Sequence, residues 1–278
     1  MTKPLSLILL FSILFLSCER IDIPENYPTT FKKLSSGILS QMRSSYAIKN
    51  KYMTSSVNDF GFCGYNGDPI NAGTPPIQDI ITQSKAIEIV KTFVSNNKSE
   101  TAVTNSNDLA FYKISTDTGF GGAIGWHFKT VNQKVDTIEV MYSMILFHLT
   151  NGVVTSCYGN WFPEINIPAK FNIGQSKAKE SLNSKVVSHY TMGGTEDKVT
   201  ISKTDLDKST IGLKILPIEN ENKIELRVCW QINIPGPVYY KIYVDVITGA
   251  IVQQEPTIIS QTITTANTVS AMKSTAPG

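Results

Sequence analysis

Histidine is scarce in this chain, with three residues among 278, and none belongs to a His-Glu-x-x-His pattern. That removes the usual signature of a zinc peptidase, in which two histidines one helical turn apart hold the metal. Cysteine is nearly as rare: besides Cys18 there are Cys63, Cys157 and Cys229, no two of them close in sequence. CxxC spacing, and with it a zinc knuckle, is absent. Three thiols allow at most one disulfide among themselves, and spacing does not choose the pair. Basic residues do not cluster, and the net charge is only +2. Nucleic acid is therefore not an expected partner, because it requires a concentrated basic face. No apolar run reaches the ~20 residues of a membrane-spanning helix. A hydrophobic fraction of 41% against a charged fraction of 17% still places the body among globular chains.

The chain does have an export signal. Its start reads MTKPLSLILLFSILFLSC, with Lys3 as a positive n-region and an apolar core from Leu5 to Leu16. Such a core is too short to span a bilayer and fits a cleavable secretory signal. No Ala-x-Ala-like site closes it. Instead Phe15-Leu16-Ser17 runs into Cys18, which resembles the lipobox where bacterial lipoproteins are acylated on cysteine and cleaved before it. The expected mature protein is tethered to the bacterial cell envelope through lipid on Cys18, on the outer membrane or its periplasmic face. A diacyl unit plus an amide-linked chain anchors stably where a single chain does not.

Residues 18–78 read as a tether to about residue 30, a helix within Phe31–Met53, and a Gly/Asn/Pro-rich linker. Residues 257–278 are a Thr/Ser-rich tail. Between them lies a repeat: QSKA occurs at Gln83–Ala86 and at Gln175–Ala178, opening a helix each time. In the first copy Thr82 is the expected N-cap, and Ala86, Ile89, Val90, Phe93 and Val94 form one apolar stripe. In the second, Gly174 takes the cap position, and Ala178, Leu182 and Val186 form a thinner stripe. Strands follow each helix. Ile224, Leu226, Val228, Trp230, Ile232 and Ile234 alternate with polar residues and Cys229, and a second alternating run spans Val238–Val246. In the first copy Trp126 takes the place of Trp230. Thr137–Leu149 reads as one long strand, apolar on both faces, and Asn151-Gly152 as a hairpin turn. Each helix stripe should pack on its own antiparallel sheet, an α+β arrangement.

The segment IYVDVITGAIVQQ, Ile242–Gln254, resembles the closing hairpin of a PepSY domain, and ITQSKAIEIVKTFV and IGQSKAKESL are similar to its helix opening. MYSMILFHLTNGVVTSCYGNWFPEINIP, Met141–Pro168, resembles the junction in propeptides of thermolysin-type metallopeptidases, with Gly159–Pro163 as its turn. The resemblance implies two tandem cystatin-like modules, at residues 79–168 and 169–256. In those propeptides such modules fold beside a peptidase and block its cleft. This chain departs from them by carrying no peptidase domain, so a stand-alone module is implied.

Catalytic arrays do not stand out. His127 and His148 fall on successive strands, with no acidic third partner evident, and no metal or cofactor is expected. Cys229 falls on the polar side of its strand and lacks a partner base. Gly119–Gly125 leads into a strand and not a helix, so it does not form a phosphate loop. Tyr239, Lys241 and Tyr243 share an outward parity and make the candidate interaction surface. The expected function is that of a non-enzymatic envelope lipoprotein that binds a protein partner or modulates a protease. The alternatives are a cell-surface receptor holding a peptide or glycan between the modules, and a purely structural envelope protein.

Overall fold

A computed structural model describes residues 22–64, 73, 75–76, 80–118, 124–190, 196–236 and 238–257. The expected signal segment, the expected lipidation site Cys18, most of the Gly119–Gly125 loop and all but the first residue of the tail lie outside the described residues. Among those described, no helix is long and apolar enough to cross a membrane.

The N-terminal part forms strand β1 (Thr29–Lys32), helix α1 (Ser36–Lys49) and the small hairpin β2 (Ser56–Val57) and β3 (Cys63–Gly64). Ser35 caps α1 by accepting a hydrogen bond from the Ile38 amide. The i+4 spacing of Leu34, Ile38, Met42 and Tyr46 predicts one inner stripe; Tyr46 is buried, but its buried companion is Leu39, and Ile38 is exposed.

The first repeat opens with α2 (Gln83–Asn96). Thr82 Oγ1 accepts from the Lys85 amide at 3.3 Å, and Ala86, Val90, Phe93 and Val94 are buried as the stripe requires. The short helix α3 (Lys98–Thr101) leads to β4 (Phe111–Thr118), β5 (Ile124–Thr130), β6 (Lys134–Val135), β7 (Ile138–Val140), β8 (Ile145–Thr150) and β9 (Val153–Gly159). Strands β4-β5-β8-β9 form an antiparallel sheet in that order. Helix α2 packs on it, with the Phe93 and Phe147 rings edge to face at 6.3 Å. Asn151 and Gly152, at φ +50° and +74°, turn β8 into β9, which is the left-handed pair such a turn demands.

The second repeat opens with α4 (Gln175–Glu180), followed by β10 (Val186–Tyr190), β11 (Glu196–Thr200), α5 (Lys203–Lys208), β12 (Thr210–Asn220), β13 (Lys223–Ile234), β14 (Tyr240–Asp245) and β15 (Ile251–Pro256). Strands β12 to β15 are sequential neighbours, whereas in the first sheet β6 and β7 intervene in the chain between β5 and β8. Trp126 faces Leu149 across β5 and β8, and Trp230 faces Val244 across β13 and β14. The chain is thus α+β, with each repeat a helix packed on four antiparallel strands.

Four expectations are corrected. The stretch Thr137–Leu149 is two strands in two sheets. Strand β7 pairs in parallel with β12, setting Glu139 beside Lys214, while β8 enters the first sheet. The break falls at Tyr142, at φ +58°. Next to it the buried Ser143 hydroxyl donates to Val140 O at 2.6 Å and accepts from the Gln133 amide at 2.7 Å. Apolar residues on both faces reflect this change of sheet. The segment read as tether is structured at its end, where β1 pairs with β13 and Tyr27 is buried. Together β1, β6 and β7 make the second sheet seven-stranded and mixed. Val186 does not extend the α4 stripe but opens the β10–β11 hairpin and is exposed. The second sheet is apolar over part of both faces, because Cys229 and Tyr243 pack with Leu216 against Met141, Ile218 and Val252 on the side that alternation marks as polar.

Candidate functional site

The alternation of β5 turns Phe128 and Thr130 inward and leaves His127 on the outer face of the first sheet. On β8 the same alternation buries Phe147 and Leu149 and leaves His148 outside. The register sets these two histidines directly opposite each other, and their rings stack at 4.3 Å between centroids with 11° between planes. On β4, Ser115 faces His127 and Asp117 faces Gly125. The Asp117 carboxylate reaches the histidines, its Oδ2 lying 2.7 Å from His127 Nε2. Gly125 makes this possible. A Cβ there would stand 2.0 Å from Asp117 Oδ1 and 3.1 Å from His148 Nε2.

One donor atom from each of Asp117, His127 and His148 therefore lies within 4.8 Å of the other two. The hydrogen bond from His127 holds the Asp117 carboxyl below its ordinary range. Partial burial, followed by the charge of His127, lowers the His148 pKa. The side chains of His127 and Asp117 keep 44% and 54% of their exposure, so the cluster is open to solvent. The sequence pairs the two histidines correctly but misses the acid, which lies on the neighbouring edge strand. The β4–β5 register puts Asp117 on the face of His127, opposite a glycine.

The surface expected from Tyr239, Lys241 and Tyr243 is not formed as a unit. Tyr239 sits in the turn before β14, at φ +48° and 41% exposed, its ring filling the space where a Cβ on Gly236 would stand. Lys241 is half-buried. Tyr243 is fully buried in the cluster with Cys229, and burial pushes its phenol pKa up. The parity is right, but the Met141 crossover and Val252 of β15 cover that face.

The three described thiols are free and buried. Cys157 lies against Cys63, whose Sγ is 3.5 Å from Tyr46 Oη. Burial raises the pKa of both Cys157 and Cys229, which keeps these thiols protonated and poorly nucleophilic.

The outer strands of the first sheet differ. Beside β9 runs the segment before β2: the Thr54 amide donates to Thr155 O at 2.7 Å, and Ser55 Oγ accepts from the Cys157 amide at 2.9 Å. Strand β4 pairs only with β5 among the described residues, and six of its eight residues are exposed.

Among solved structures, the chain is similar to the Bacillus megaterium YpeB C-terminal domain, at 14% identity and a TM-score of 0.29, over 82% of this chain and 100% of that one. No family model matches the chain, and no curated protein matches it.

Proposed function

We propose that this chain is a lipoprotein of the bacterial cell envelope, anchored through Cys18, whose two helix-on-sheet units act without catalysis by docking on a protein partner. The finer form of the proposal is modulation of a protease, as the resemblance to peptidase propeptides implies. The observation that carries the docking reading is strand β4, eight residues long, free of proline and paired only with β5 among the described residues. An open edge of this kind offers a row of backbone donors and acceptors to an extended segment of a partner, which adds as a further strand. The start of the sequence supports the address, since a lipid anchor would hold the units at the membrane surface where envelope proteins pass.

The protease form is tested with the full chain purified in detergent and incubated with envelope proteases. Slowed hydrolysis of a model substrate together with a stable complex supports it. Undiminished hydrolysis with no complex sinks it.

A second reading, a receptor for a peptide or glycan, is favoured by a pocket of about 440 Å³ whose walls include Trp161, Phe162, Asn132 and Gln133. Aromatic and amide groups lining one cavity are the usual equipment of such sites. Ligand-dependent quenching of tryptophan emission that disappears in Trp161→Phe would favour it over docking.

A further inference from the structure

We propose that Asp117, His127 and His148 bind a divalent transition-metal ion of the zinc class on the outer face of the first sheet. This does not depend on the docking reading. Two imidazole nitrogens and one carboxylate oxygen from three adjacent strands lie within 4.8 Å of one another. Tetrahedral donors about 2.0–2.1 Å from zinc lie about 3.3 Å apart. Closing to that distance requires the two stacked imidazoles to tilt apart so that both lone pairs point at one ion, a χ rotation that side chains on the solvent face of the sheet can make. The donor set suits zinc, copper or nickel; calcium and magnesium favour sites built wholly from oxygen.

The backbone supports the convergence. The histidines are cross-strand partners held in register by β5 and β8. Gly125 is buried beneath the cluster, and the space its missing side chain leaves is where Asp117 Oδ1 and His148 Nε2 meet. An ordinary residue at 125 would drive the carboxylate and the second imidazole apart. A structural Asp–His hydrogen bond alone would not need His148 turned into the same space. With three protein ligands, at least one coordination position stays open to water on the solvent side. When the ion binds, the proton on His127 Nε2 is released or moves to Nδ1, and the Asp117 hydrogen bond gives way to a metal–oxygen bond.

The test uses the full chain in detergent, purified without a histidine tag, stripped with chelator and titrated with Co²⁺ as a spectroscopic probe for Zn²⁺. The expected result is one Co²⁺ per chain with the visible bands of a tetrahedral site, displaced by Zn²⁺. His127→Ala and His148→Ala should each weaken binding by at least about tenfold, as should Gly125→Val, which removes no ligand. Ser115→Ala, on the same face, and His189→Ala should bind like the parent. Unchanged far-UV circular dichroism in the metal-free histidine variants shows that the fold persists. No binding at about 100 µM metal, or binding that survives both histidine substitutions, overturns the proposal.

Discussion

Arg227 Nη1 donates to Asp245 Oδ2 at 3.0 Å between β13 and β14, although the Asp245 side chain has no solvent exposure. The same carboxylate accepts from Tyr27 Oη at 2.9 Å and from the amides of Ile247 and Thr248 at 2.9 and 2.8 Å. This explains the acidic residue ahead of Thr-Gly in IYVDVITGAIVQQ. It holds the closing turn and ties the N-terminal segment to the second sheet.

Asp245→Ala leaves Arg227 with Glu225 as its remaining carboxylate and strands the Tyr27 hydroxyl and the turn amides. It should lower stability by about 2–4 kcal/mol, the cost of several unmet buried hydrogen bonds. Tyr27→Phe removes one hydroxyl from the same network and should cost about 1–2 kcal/mol. Urea unfolding of the two variants checks the order. Equal, small losses would show that the network contributes little.

Cys63 and Cys157 lie against each other, whereas Cys229 belongs to a separate cluster. A mild oxidant should therefore join Cys63 to Cys157 and leave Cys229 reduced. Closing a loop of that length stabilises by about 4.7 kcal/mol in the chain-entropy account. Peptide mapping without reductant identifies the pair, and a bridge involving Cys229 would contradict this arrangement.

The Gln133 side chain imitates a strand: its Nε2 donates to Phe162 O at 2.7 Å and its Oε1 accepts from the Phe162 amide at 3.0 Å. Gln133→Ala strands both backbone groups in a buried setting and should cost about 2–3 kcal/mol. Thermal unfolding against Gln133→Glu, which keeps the acceptor and loses the donor, separates the two bonds.

Burial acts on Glu225 to raise its pKa, but Lys223 and Arg227 outweigh it and hold the carboxyl below the ordinary 4.5. Asn132, then Lys214, does the same for Glu139. A carboxyl with a lowered folded pKa stabilises fully above its unfolded value and loses that contribution as pH falls through the folded one. As far as these groups matter, stability should therefore be flat well above 4.5 and decline as pH falls through it. Glu225→Gln should flatten the decline in a pH series of urea unfolding, and an unchanged slope would refute the assignment.

Local signals carried much of this fold. The QSKA helix starts, the Asn-Gly and Thr-Gly turns and the inward face of β13 all follow from neighbours within a few residues. What stayed hidden is non-local. The parallel pairing of β7 with β12 joins residues 139 and 214, and no alternation in either strand announces it. Tyr243 has the parity of an exposed residue and is buried because Met141 and Val252 arrive from elsewhere. Asp117 joins His127 only once the β4–β5 register is known.

The docking account turns on β4, and a photo-crosslinking amino acid placed there in intact cells tests it most directly. Substituted at Tyr112, 58% exposed on β4, the probe should yield one discrete protein adduct, whereas at Ile48, 85% exposed on α1, it should yield none. No adduct from β4, or the same adducts from both positions, would contradict docking through this edge.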